Sequence, residues 1–199
     1  TFIVSYSLLR DSRNDYSNPT RGSFLRGTVD FYFLHTQLMR LNATGFLAVP
    51  VNDRLSFAFY GEIAQIVKIP GMDIRNDADV LYYLNPFEDV RGWDTSRYTL
   101  FKHNRGLSTY DMVGSDGSKD SWAYGRAKVR IFAELRVPII PKTLGFVTFL
   151  DAGQLWMPGS SGLNQDGDAY SYPSQFMNIK DIFDPSQYMY SWGFGLRLT

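Results

Sequence analysis

What most constrains this chain is a period of two in hydrophobicity, held over segments longer than ordinary globular strands. In 25–33 the odd positions are Leu25, Gly27, Val29, Phe31 and Phe33, against Arg26, Thr28, Asp30 and Tyr32. In 55–69, Phe57, Phe59, Ile63 and Val67 alternate with Ser56, Tyr60, Glu62 and Lys68. In 124–136, Ala127, Val129, Ile131, Ala133 and Leu135 interleave with Arg126, Lys128, Arg130, Glu134 and Arg136. In 188–198, Tyr190, Trp192, Phe194 and Leu196 interleave with Ser191, Gly193, Gly195 and Arg197. Successive side chains of a strand point to opposite faces, so each segment has one apolar and one polar side. No segment of comparable length carries a 3.6-residue period. The chain is all-β.

Seven strands follow: 1–10, 23–34, 38–49, 55–69, 124–137, 144–157 and 188–198. Several reach the ~9–11 residues that cross a bilayer at a tilt, beyond the five or six usual in globular sheets. Their connections alternate in length. Turns 11–22, 50–54 and 138–143 lie on one side; a link near 35–37 and the long stretches 70–123 and 158–187 lie on the other. Short turns at one rim and long loops at the other are the pattern of an outer-membrane barrel, with the long loops extracellular. Alternation alone leaves a soluble sandwich or lipocalin-like barrel open, because parity does not say which face meets water. Strand length, loop asymmetry and the charges collected along 124–136 favour a membrane-spanning antiparallel up-and-down β-barrel with a hydrated interior. Aromatic residues make up 16% of the chain, yet the mean hydropathy is −0.22. No window approaches the ~18 apolar residues of a spanning helix. Trp156, Tyr188 and Tyr190, near strand ends, suit an interfacial girdle.

The remaining composition excludes several functions. Twenty basic and twenty acidic residues cancel, which argues against a general grip on nucleic acid. There is no cysteine, and His35 and His103 share no ligand spacing, so no metal or cofactor is expected. Asn164, Asp166 and Asp168 are spaced like part of a calcium loop but lack its distal glutamate. No catalytic constellation stands out, and no enzyme is expected.

One candidate site remains. The connection 70–123 contains Asp89-Val90-Arg91-Gly92-Trp93, and two strands further on Glu134 and Asp151 fall on the same polar face. A carboxylate in a strand as apolar as 144–157 calls for a counter-charge or generous hydration. A guanidinium from a loop folded inward would satisfy both acids bidentately. The alternative is that Asp151 meets only water or neighbouring basic residues.

The segments SLLRDSRNDYSNPTRGSFL, EDVRGW, RAKVRIFAELRVPI, GFVTFLDAGQLW and YSWGFGLRLT together resemble, in order, the barrel of the BamA superfamily of bacterial surface antigens. That resemblance implies a sixteen-stranded barrel, of which about seven strands are present in one domain over 1–199. It implies a lock in which the loop-tip Arg91, with Gly92 and Trp93, meets Glu134 and Asp151. The implied function is insertion and folding of β-barrel clients in the outer membrane. Implied partners are the lipid bilayer, nascent outer-membrane proteins and accessory lipoproteins bound through periplasmic POTRA domains, which these residues do not include. A two-partner-secretion translocator and a passive porin or adhesin barrel are the alternatives. The sequence departs from the family in Trp122-Ala123-Tyr124-Gly125, where Gly-Gly-Asn is usual, and in Trp93, where Phe is commoner.

Overall fold

Each of the seven alternating segments forms a strand, and consecutive strands pair antiparallel. The computed structural model describes residues 2–33, 38–68, 81–84, 89–92, 109–113, 119–123, 125–140, 143–156, 161–163, 169–171 and 176–198. The main strands are β1 (Phe2–Asp11), β2 (Gly22–Phe33), β3 (Leu38–Asn52), β4 (Leu55–Lys68), β7 (Ala127–Ile140), β8 (Leu144–Trp156) and β11 (Met189–Leu198). They form one open sheet in the order β1-β2-β3-β4-β7-β8-β11. Two short hairpins were not expected: β5 (Thr109–Val113) with β6 (Lys119–Ala123), and β9 (Ser161–Leu163) with β10 (Ala169–Ser171). Both fall inside the long connections, where three to five residues are too few for alternation to show. A one-turn helix α1 (Ile179–Ile182) and a 3-10 turn (Pro185–Gln187) precede β11.

Two turns are tighter than expected because prolines did not end their strands. β3 runs through Pro50 to Asn52 and β7 through Pro138 to Ile140, each with a register shift at the proline. A β-bulge removes a ladder bond, so a residue without an N–H is tolerated there.

The register sorts side chains by face. Arg26 opposes Thr44, Thr44 opposes Glu62, Glu62 opposes Arg130, and Phe132 opposes Asp151, which opposes Ser191. All of these share the inner face. The outer face carries Leu25, Leu47, Phe57, Phe59, Ile63, Ile131, Leu150, Trp192, Phe194 and Leu196, all exposed. An apolar exterior of this extent on a polar-cored sheet has the character of a lipid-facing wall.

The turn after β1 folds over the inner face. Asp15 accepts from the N–H groups of Ser17 and Asn18, and the Asn14 side chain accepts from those of Thr20 and Arg21. Gly22 closes the turn at φ +103°, where a Cβ would stand 2.2 Å from the Ser12 carbonyl oxygen. Thus built, the turn presents the Pro19 carbonyl to Arg136 Nη1 at 3.2 Å and the Ser17 carbonyl to Arg197 Nη2 at 3.1 Å.

The face assignment predicts a depth-dependent penalty. Ile131→Arg, in mid-strand, should destabilise the folded protein in phospholipid vesicles by ~2–4 kcal/mol, and Ile139→Arg, beside a rim turn, by ~0–1 kcal/mol. Reversible guanidinium unfolding measures both, and equal costs would contradict a lipid-facing wall.

Candidate functional site

The site is built where the long connection between β4 and β7 crosses the inner face. Tyr82 anchors it by a reciprocal backbone pair with Gly125, both bonds 2.8 Å. From there Tyr82, Leu84 and Val90 pack in one apolar cluster with Leu38, Ala64, Ile66, Leu155 and Met189 of the sheet. Val90 is fully buried. Its seat exists because residue 153 is glycine: a Cβ there would lie 2.6 Å from Val90 Cγ2. In Asp151-Ala152-Gly153 the two inward positions thus do different work, one supplying a charge and the other a notch.

With Val90 seated, Arg91 meets both acids. Its Nε and Nη2 donate to Asp151 Oδ2 and Oδ1 at 2.8 and 2.6 Å, a fork-to-fork pair. Its backbone N–H donates to Oδ2 at 3.1 Å, and Nη1 donates to Glu134 Oε1 at 2.9 Å. Asp151 is 1% exposed and Glu134 7%. The guanidinium carbon lies 3.6 Å from the Phe149 ring centroid and 5.7 Å from that of Phe132. Partial desolvation sharpens such a cation–π contact. Burial works against the Arg91 charge, but the hydrogen bonds and field of Asp151 and Glu134 prevail and raise its pKa above the ordinary value. Gly92 has φ +81°, a left-handed conformation that favours glycine. The structure therefore brings Arg91, Gly92, Glu134 and Asp151 together. Trp93 lies outside the described residues, as do Asn164, Asp166 and Asp168.

Two features escaped the sequence. Glu134 is shared: Arg136 donates to its Oε2 from Nε and Nη2 at 2.9 and 2.7 Å, and Arg197 Nη1 approaches at 3.4 Å. Asp89 forms a second cluster, taking Lys128 Nζ at 2.9 Å and Arg130 Nη1. Arg130 also pairs with Glu62 at 2.6 Å and donates to the Tyr60 hydroxyl at 2.6 Å. The signal was present in the residue types: Asp89 is an acid two positions before Arg91, and Lys128 and Arg130 are cations on the inward parity of β7. Among the described residues, no group of three or more His, Cys, Asp or Glu side chains could hold a metal ion.

The geometry yields two predictions. Arg91→Ala leaves Asp151 buried without its cation, whereas Glu134 keeps Arg136 and Arg197. Removing one partner of a buried pair costs about 3–5 kcal/mol. Double-mutant cycles should accordingly give a larger coupling of Arg91 to Asp151 than to Glu134; unfolding free energies check this, and the reverse order would refute it. Gly153→Ala should unseat Val90 and destabilise by about 1–3 kcal/mol. Adding Val90→Ala removes the clashing Cγ2, so the double variant should tie the loop better than Gly153→Ala alone, read as slower protease cleavage in the loop.

Comparison with known proteins follows this geometry. The profile of a family described as the Omp85 superfamily domain matches residues 1–199. No curated protein matches the chain by sequence. Among solved structures, the crystal structure of BamA from Haemophilus ducreyi lacking POTRA domains 1-3 is similar, with a TM-score of 0.69 at 18% identity. The match covers 100% of this chain and 36% of that one, so the chain spans about a third of its length. At that identity the likeness is one of fold.

Proposed function

The chain belongs to the Omp85 superfamily, and from that premise we propose that it is the barrel portion of a protein that inserts and folds other β-barrels in the bacterial outer membrane. Family and fold place it in that membrane. The observation that carries the reading is the inward-tied loop tip, with Arg91 held on Asp151 and Glu134 inside a sheet whose outer face is apolar.

The work proposed is not chemical. Unpaired strand edges template partner strands, and a client hairpin would grow by pairing with such an edge. The tie would hold the inner face in one arrangement while the wall changes its lateral contacts. Loops 70–123 and 158–187 would then stand on the extracellular side, with turns 12–21, 53–54 and 141–143 on the periplasmic side. Nascent outer-membrane proteins are the proposed partners, with accessory lipoproteins engaging periplasmic domains of the kind carried by relatives.

Client assembly tests this directly. In vesicles bearing the intact protein, Arg91→Ala should slow folding of an added barrel client at least several-fold, read as its heat-modifiable gel mobility. Arg21→Ala, in a turn on the same inner face, should leave it near wild type. Equal rates for the two variants would sink the reading. Release of an unfolded substrate across the bilayer, with no client folded into it, would replace insertion with translocation.

A further inference from the structure

The outer wall is not bare throughout. At the long-loop rim Ala127, Val129 and Trp156 belong to the outer face, yet they are 0%, 5% and 2% exposed. They are covered by residues 176–188: Met177, Ile182 and Tyr188 pack against them from outside. Val129 was expected to meet acyl chains by parity; here protein covers it. Ile182 also borders the outer depression formed by Ala43, Gly45, Gly61 and Ile63. The stretch before β11 thus runs along the outside of the wall instead of standing above it.

Its polar groups are matched to that position. Tyr188 donates its hydroxyl to the Ile182 carbonyl at 2.6 Å, and Tyr190 donates to the Pro185 carbonyl at 2.8 Å. The Met177 N–H donates to Gln65 Oε1 at 3.4 Å. Asn178 and Asp184 cap the two short helical turns through the N–H groups of Lys180 and Ser186. Backbone near lipid must have its polar groups satisfied by the protein, and the girdle tyrosines supply part of that here.

Three other apolar side chains of the same stretch are largely exposed. Phe176 is 57% exposed, Ile179 69% and Phe183 79%. They continue the exposed surface of the wall, while Lys180, Asp181 and Asp184 keep the stretch from the hydrocarbon centre. Aromatic and aliphatic anchors beside charges, on backbone lying against the wall, match a segment seated about 5–10 Å into the headgroup–acyl boundary. We propose that residues 176–188 form an interfacial clip, folded back over the outer wall, that inserts Phe176, Ile179 and Phe183 among the lipid acyl chains at the long-loop rim. The clip requires the outer wall to face lipid and is independent of the assembly function.

These 199 residues contain no cysteine, so single cysteines at Phe183, Leu150 and Asp53 can carry a bimane label in the intact protein, with any cysteine outside these residues replaced by serine, in phosphatidylcholine vesicles. Position 150 reports the wall and position 53 a water-exposed turn. Lipids brominated on the acyl chain should quench the label at 183 at least half as strongly as at 150, with iodide quenching several-fold below that at 53. Iodide quenching equal to that at 53 would overturn the clip. So would a label reached by neither quencher, which would mean another protein segment covers the site. Ile179→Cys gives the same reading if the 183 variant does not fold. Combining Tyr188→Phe with Tyr190→Phe should raise iodide quenching at 183 and leave 150 unchanged; no change would show that the tyrosines do not pin the segment.

Discussion

The carboxylate of Asp151 is the constraint from which the inner face is organised. It sits at 1% exposure in a strand flanked by Phe149, Leu150 and Leu155. An ionised group there is tolerated only if paired and hydrogen-bonded. A loop tip 60 residues earlier in the chain fills that role, with three N–H groups. A backbone N–H among the three means that main chain, as well as side chain, is held to the wall. The position of residues 89–92 follows from that tie, as does burial of Val90 in the notch of Gly153.

From Asp151 the charges spread into a connected inner surface. Glu134 joins the loop-tip arginine to Arg136 and Arg197, and both of these hold carbonyls of the turn after β1. The turn and the loop tip, entering from opposite rims, therefore meet through one carboxylate. Beside it, Asp89 and Glu62 neutralise Lys128 and Arg130. The basic run along β7, which read as suited to a hydrated interior, is instead largely spent on internal ion pairs. That favours a fixed arrangement of loop and wall over an open aqueous lining.

The outer face obeys the opposite rule, and its exception is informative. Parity sends apolar residues outward on every strand, and most are exposed as a lipid-facing wall requires. Among the described residues, the protein covers its own exterior at the long-loop rim, where the girdle residues Trp156, Tyr188 and Tyr190 fix returning chain by ring packing and hydroxyl hydrogen bonds. Aromatic residues at a strand end can thus serve both the interface and the backbone that lies on it.

The sequence by itself determined the seven long strands and the two faces, because a period of two is a local property that survives any choice of partner. For Asp151 it left two partners open, a loop guanidinium or water with neighbouring basic residues, and the lock of Arg91 on Glu134 and Asp151 was what the family resemblance implied. It misjudged Pro50 and Pro138, since whether proline ends a strand depends on a bulge in the partner register. It could not show that Phe149 lies under the guanidinium, that Gly153 makes room for Val90, or that Arg136 and Arg197 share Glu134. Those depend on which atoms face one another across strands and loops tens of residues apart. The cover over Val129 has the same origin. Parity says which way a side chain points; only the tertiary structure decides whether lipid or returning chain meets it there.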